Sequence, residues 1–336
     1  MKSHSLNIDL LEEREVPEFV EIVNTAFVAA FQRLAGREPP GRRVGDRVRA
    51  RFHRPDTLVL VARDDGGTLR GVLPLQRCGT RCVPGPLAIA PEWQEPWRRG
   101  VAPALVDALL KRAVSWGCGV VDSVTFAQST THFALYWKHG APIFQALLLS
   151  RSLGASFTNA DDGAVVGLTA LEQGARDAAL QAMRGICGRY YDGYDLTADV
   201  LHVQHRGLGD TFVMRSEGRV LGFAICHFGP LSEAYGDEQV LVKYLYIDPQ
   251  SPEPGAACDR LLAGVESHAA RAGFTSVALV VSSARRAAVE LLLARGYRTI
   301  VLESQWLMVP NAPGSDLMAH AASAFRASQY ALADWR

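Results

Sequence analysis

The order of apolar patterns predicts an α/β (α+β) chain in which one arrangement of mixed strands and helices is written twice. Three observations carry this. Strand-like alternation and stretches of helical spacing interleave along the chain instead of segregating. The order of elements after about residue 164 repeats the order before about residue 153. Glycines at matching points keep almost constant register: Gly100 with Gly255, Gly117 with Gly273 and Gly140 with Gly296, separated by 155, 156 and 156 positions.

Taken in order, Leu6–Leu10 alternates like a strand, and Val16–Phe31 carries Phe19, Ile22, Val23 and Phe27 at helical spacing. An Arg- and Pro-rich bend over 38–43 leads to a short helix ending near Phe52. Strands follow at 57–62 and 70–75, joined by Asp64-Asp65-Gly66-Gly67, a strong hairpin signal. The apolar run Pro86–Pro91 reads as a strand, Gly100–Trp116 as an amphipathic helix and Val120–Phe126 as a strand. A helix from Thr131 to His139 is expected to stop at Gly140, and a strand from Ile143 to Leu149 closes the half. Residues 154–163 are small, polar and acidic, as in a linker.

The second half reads as a strand at 165–168, a helix at 171–186, and paired strands at 212–215 and 220–227. A long strand spans 240–247, then come a helix at 255–271, a strand at 277–281, a helix at 284–295 and a last strand reaching Met308. The expected domains are therefore 1–153 and 164–310. The tail 311–336 lies outside both; its Leu317–Trp335 portion has the spacing of an amphipathic helix.

A chain of 336 residues is comfortable for two ordinary domains. Formal net charge is zero, so no global field draws nucleic acid or an anionic membrane. The six cysteines are scattered; only Cys78 and Cys82 are close, and no second pair completes a metal site. They read as apolar filling in a reducing compartment. The first residues have no apolar signal core, and no apolar run approaches spanning length. The expectation is a soluble cytoplasmic protein without a metal.

The chemistry concentrates at Trp97-Arg98-Arg99-Gly100-Val101-Ala102, between the run Leu87-Ala88-Ile89-Ala90 and the helix it opens. A strand, a tight turn with Gly and a small residue two places on, and a helix start together aim backbone N–H groups at one point. Those amides and the positive end of the helix make an anion site, and Arg98 and Arg99 add charge. The spacing suits a pyrophosphate. Neither a dinucleotide-binding Gly-x-Gly-x-x-Gly nor a Gly-Lys-Ser/Thr loop is present.

This mid-domain strand, loop and helix, followed by a strand, a helix and Leu135-Tyr136-Trp137-Lys138-His139-Gly140, resembles the GCN5-related N-acetyltransferase (GNAT) superfamily. The resemblance implies two tandem GNAT-like domains, each a mixed, splayed central sheet flanked by helices. It implies acetyl-CoA, or another acyl-CoA, as cosubstrate, held on a loop of pattern Arg/Gln-x-x-Gly-x-Gly/Ala. Gly100 and Ala102 match that loop; Trp97 stands at its basic position, where Arg98 or Arg99 would supply the charge. Leu87–Ala90 would pair through its main chain with the pantetheine arm. Ser129 lies in the loop where family members place a CoA-contacting side chain.

Tyr136 falls where many family members hold the proton donor for the departing thiolate. A phenol with a pKa of about 10 is protonated at neutral pH and can supply that proton. Its other reading is a core aromatic at a helix end. His132, one helical turn earlier, and Glu92, beyond the central strand, are candidate bases. The acceptor would be an amine of a small molecule or a protein. The assembly would be a monomer, as a tandem pseudo-dimer, or a homodimer.

The second half resembles the family more faintly. Pro252-Glu253-Pro254-Gly255-Ala256-Ala257 keeps Gly255 and Ala257, but Pro254 removes an amide, and Leu292 stands at the position matching Tyr136. A degenerate partner domain is the expectation. Cys226, His227, Ser232 and Glu233 at the end of its third strand leave open an acceptor wall, or an active C-terminal half. A non-catalytic CoA-binding or sensing protein is the alternative from another class.

Overall fold

The computed structural model describes residues 6–35, 49, 52, 55–78, 81–93, 100–127, 129–154, 164–190, 196–216, 218–228, 238–248, 250–251, 253–283, 285–308 and 310. The described residues form two units: those up to Ile143 together with those from Ser304 to Pro310, and Phe144–Glu303. The expected helix before Phe52, most of the linker and the tail 311–336 fall outside the described residues.

The first unit holds β1 (Asn7–Leu10), α1 (Val16–Ala35), β2 (Thr57–Arg63), β3 (Leu69–Cys78), β4 (Arg81–Pro84), β5 (Ala88–Ile89), α2 (Val101–Ser115), β6 (Val120–Phe126) and α3 (Thr130–Tyr136). The hairpin between β2 and β3 forms as its sequence dictates. Gly67 takes φ +81°, and the Asp64 carboxylate accepts from the Gly66 and Thr68 amides at 3.0 and 3.1 Å. Strand order is β1-β2-β3-β4-β6-β13, where β13 (Arg298–Met308) is the last strand of the chain and only its end, from Ser304, belongs to this unit. The core between sheet and α2 includes Leu73, Leu105, Leu109, Val121, Leu135 and Trp306.

The second unit holds most of β7 (Gly140–Ser152), then β8 (Val165–Gly167), α4 (Gln173–Tyr190), α5 (Thr197–His205), β9 (Gly209–Ser216), β10 (Arg219–His227), β11 (Gln239–Ile247), α6 (Pro254–Arg271), β12 (Ser276–Ser282) and α7 (Arg286–Ala294). Its strand order is β7-β12-β11-β10-β9-β8. Here β7 runs antiparallel to β12 from Ala146↔Ser282 to Ser152↔Ser276. Most of β7, the closing strand of the first sequence half, thus belongs to the second unit, and the end of β13 from Ser304 belongs to the first.

Within each unit the central strand leaves its parallel neighbour at a bulge. In the first, β4 pairs with β6 only at Arg81↔Val120 and Cys82↔Val121. Pairing with β3 then moves from Leu75↔Pro84 to Val72↔Ala88, three steps on β3 against four on its partner. One extra residue bends the strand away, and β5 pairs with β3 alone. In the second, β11 stays parallel to β12 as far as Val242↔Leu279, and the extra residue is Lys243. Both sheets are splayed. A glycine on the neighbouring strand faces the helix in both: a Cβ on Gly71 would lie 3.1 Å from Leu105, and one on Gly222 3.4 Å from Leu261.

Several expectations change. The strand expected over Pro86–Pro91 shrinks to Ala88–Ile89, and Pro86 and Pro91, which cannot donate to a ladder, bound the segment one residue further out on each side. Helix α3 ends at Tyr136, with a turn closed by His139 N–H to Tyr136 O at 2.9 Å, and Gly140 opens β7 without a positive φ. Gly117 and Gly273 do stop their helices, at φ +67° and +85°. The amide that follows each bonds back to Ala113 and Ala269 respectively. Strand β4 and helix α5 were not expected from the sequence pattern.

Candidate functional site

The splay in the first unit brings a strand edge, a helix start and a buried phenol into one unit. Ala90 N–H donates to Arg70 O at 3.0 Å. By antiparallel alternation Ala88 and Ala90 turn their main-chain groups toward β3, whereas Leu87 and Ile89 turn theirs away from it. Ala88 and Ala90 are buried, and Leu87 and Ile89 pack partly against the α2 core.

Gly100 caps α2 in the left-handed conformation, φ +71° and ψ 5°, with no side-chain cap bond. The first intrahelical bond is Ala104 N–H to Gly100 O, 3.0 Å. Pro103 has no N–H, so the donors of this first turn are the amides of Gly100, Val101 and Ala102. Val101 packs against Gly71, where a Cβ would come within 2.5 Å of its Cγ1, which fixes the helix start against β3. Trp97, Arg98 and Arg99 lie outside the described residues.

Glu92 sits in a 3-10 turn, Pro91–Trp93, with a side chain 59% exposed. Arg70 Nη1 donates to it at 2.7 Å, Arg70 Nε donates to Asp64 at 2.8 Å, and the guanidinium lies 5.2 Å from the Trp93 ring centre. Arg70 therefore ties the hairpin to the segment that leads into the loop.

Ser129, buried, lies 2.6 Å through Oγ from Nδ1 of His132. Burial lowers the imidazole to about 4, with Arg33 adding in the same direction, so the ring is neutral at physiological pH. One turn on, the His132 and Tyr136 rings meet edge-on at 5.8 Å. Tyr136 is 4% exposed, and its Oη accepts a long bond from Ser123 Oγ, 3.4 Å. Burial holds this phenol above the ordinary tyrosine range, partly offset by the Ser123 bond. The Trp306 indole meets its ring edge-on at 5.8 Å. Ser123 and Trp306 carried no signal in sequence: the first is an ordinary strand position, and the second lies 170 residues from Tyr136.

The corresponding positions of the second unit differ. Glu253 caps α6, Pro254 fills its first turn, and Leu292 is fully buried. Gly255 lies inside α6 without a positive φ. Cys226 and His227 end β10 buried beside β9 and β11, and burial with nearby Asp210 pushes the thiol well up. Ser232 and Glu233 lie outside the described residues. Among the described residues no group of three or more His, Cys, Asp or Glu side chains could hold a metal, and no helix is long and apolar enough to cross a membrane.

No family model matches the chain, and none of the curated proteins does. Solved structures do. A GCN5-related N-acetyltransferase from Sphaerobacter thermophilus is 16% identical at TM-score 0.63, over 91% of this chain and 96% of that one. A tandem GNAT protein from the clavulanic acid biosynthesis pathway is 15% identical at 0.62, over 92% and 100%. A GCN5-related glucosamine N-acetyltransferase region of a fungal multi-domain β-N-acetylglucosaminidase is 13% identical at 0.62, over 92% of this chain and 38% of that one. The fold is that of tandem GCN5-related N-acetyltransferases, a mixed α/β architecture with splayed sheets.

Proposed function

We propose that the protein is an acyl-CoA-dependent N-acyltransferase whose first unit binds acetyl-CoA and transfers the acetyl group to an amine. The observation that carries this is the splay beside an uncapped helix start: β5 diverges from β6 next to the Gly100, Val101 and Ala102 amides. Such amides suit a pyrophosphate, and the main chain of Leu87, turned away from β3, suits an extended amide-bearing arm. The acetyltransferase names of the structural neighbours support the reaction class, and one of them names glucosamine as acceptor.

Bound acetyl-CoA would supply an activated thioester, open to direct attack by the amine. The chain's own part is to orient and to move protons. Tyr136 Oη, protonated at neutral pH, supplies the proton that the departing sulfur needs. For His132 to take a proton at Nε2, Nδ1 must carry the other hydrogen and donate it to Ser129 Oγ, a bond that the hydroxyl oxygen can accept. Glu92, held by Arg70, is assigned to anchoring the loop. The acidic cap and proline at the start of α6 make the second unit a poor pyrophosphate site.

The test is release of CoA thiol from acetyl-CoA in the presence of a panel of primary amines. Tyr136→Phe is expected to lower kcat about 100-fold, within the usual range for a general acid, with little change in KM for acetyl-CoA. An unchanged kcat would remove Tyr136 from the mechanism. The burial of Tyr136 also favours a second reading, a CoA-binding protein without turnover; binding without amine-dependent thiol release would select it.

A further inference from the structure

The second sequence half keeps the fold but not the features of a phosphate loop, which leaves open what it contributes. We infer that Trp306, carried on the last strand of the chain, is a positioning residue for Tyr136, so that the first unit's proton donor is set by the second sequence half. This inference rests on the reading of Tyr136 as general acid.

The placement comes from the exchange of closing strands. Residues from Ser304 belong to the first unit, where the end of β13 lies beside β6, the strand that carries Ser123. Trp306 has no exposed surface and sits in the same core as Leu105, Leu109, Val121 and Tyr136. Its ring meets Tyr136 edge-on at 5.8 Å and Trp137 at 6.4 Å. Trp137 itself is 66% exposed, so the indole meets one aromatic inward and a second at the surface, both edge-on. The phenol thus has neighbours on three sides: Ser123 at its oxygen, His132 along its helix and Trp306 across its ring.

A tyrosine ring has two soft torsions, and a single bond of 3.4 Å at its oxygen is too long to fix them. An edge-on aromatic neighbour in a packed core restricts the ring and excludes water from it. Removing the indole leaves a space the core cannot fill, so the phenol gains both water and freedom of orientation. A proton donor misplaced by about 1 Å loses rate without losing cofactor affinity.

The test compares Trp306→Leu and Trp306→Phe in the full chain, with Tyr136→Phe as reference. Melting curves verify folding. In ligand-free protein, the absorbance titration of wild type minus Tyr136→Phe isolates this phenol. Of the groups described against it, Ser123 from β6, His132 from α3 and Trp306 from β13, His132 is the one that titrates, and it is already neutral above about pH 4.

Trp306→Leu is expected to move the phenol's midpoint down toward the ordinary value, measured against its own Tyr136→Phe double variant. It should also lower kcat at least tenfold with KM for acetyl-CoA unchanged. Trp306→Phe, which restores an edge, should recover most of both. A folded Trp306→Leu protein with wild-type midpoint and kcat overturns the inference while Tyr136→Phe still loses activity. Unchanged kcat in Tyr136→Phe overturns the acid reading and this inference with it. If Trp306→Leu fails to fold, Trp306→Met, which fills the space without an aromatic edge, takes its place: a lowered midpoint and kcat support the inference, and wild-type values of both overturn it.

Discussion

At the scale of single residues, the proposed site depends on two groups whose protonation is set by burial. His132 is depressed to about 4, against about 6.5 in an unfolded chain. Between those values the unfolded state binds more protons than the folded one, so stability rises with pH across the window. The contribution is complete above about pH 6.5 and is lost as pH falls toward 4. Denaturant midpoints at pH 4.5 and 7 should therefore differ less in His132→Gln than in wild type; an equal difference would show that the imidazole is not buried as described. Tyr136 moves the other way, so any basic limb of kcat from the phenol should lie above the ordinary tyrosine range. Tyr136 was singled out by the family resemblance, and His132 because a helix places residues four apart on one face. Their partners Ser123 and Trp306 were not, because strand contacts join residues with no fixed spacing.

At the scale of elements, the bulge and the helix start are the devices that open the sheet. The Gly-x-Ala spacing located the start of α2 correctly in sequence, and the structure adds the backbone conformation there: Gly100 is left-handed and Gly255 is not. The glycine register that signalled duplication is a match of position, with a match of conformation only at Gly117 and Gly273. The bulges were hidden because one extra residue in a strand leaves no mark in an apolar run such as Leu87–Ala90. Helix α5 was hidden for a related reason, since Thr197–His205 has weak apolar asymmetry. A Cβ at position 71 would lie 2.5 Å from Val101 Cγ1, so Gly71→Val should force Val101 to move, costing about 1–3 kcal/mol as overpacking does. A denaturant melt measures it, and a change under 0.5 kcal/mol would mean the helix start is not held against β3.

At the scale of the whole molecule, the two sequence halves are not the two units. The duplication was readable because each half repeats one order of elements, and the exchange was not, because β7 and β13 look alike in sequence whichever sheet receives them. Arg151 on β7 donates to buried Glu266 at 3.1 Å, and Arg295 and Tyr297 bond the same carboxylate at 2.7 and 2.8 Å. The strand from the first half is thus held in the second unit by a charged network. A fragment of residues 1–153 should lack Trp306 and Met308 from its core and fail to unfold cooperatively as a monomer; a cooperative, monomeric melt would contradict the exchange.

The central claim, that the splay and helix start of the first unit hold acyl-CoA, is tested most directly by calorimetric titration of acetyl-CoA into the full chain and into Gly100→Val. A valine at φ +71° is a strained outlier, and its side chain alters the path of the amides that the claim assigns to the pyrophosphate. One equivalent bound by wild type and at least tenfold weaker binding by the folded variant are predicted. No binding by wild type, or equal affinity in both proteins, would contradict the claim.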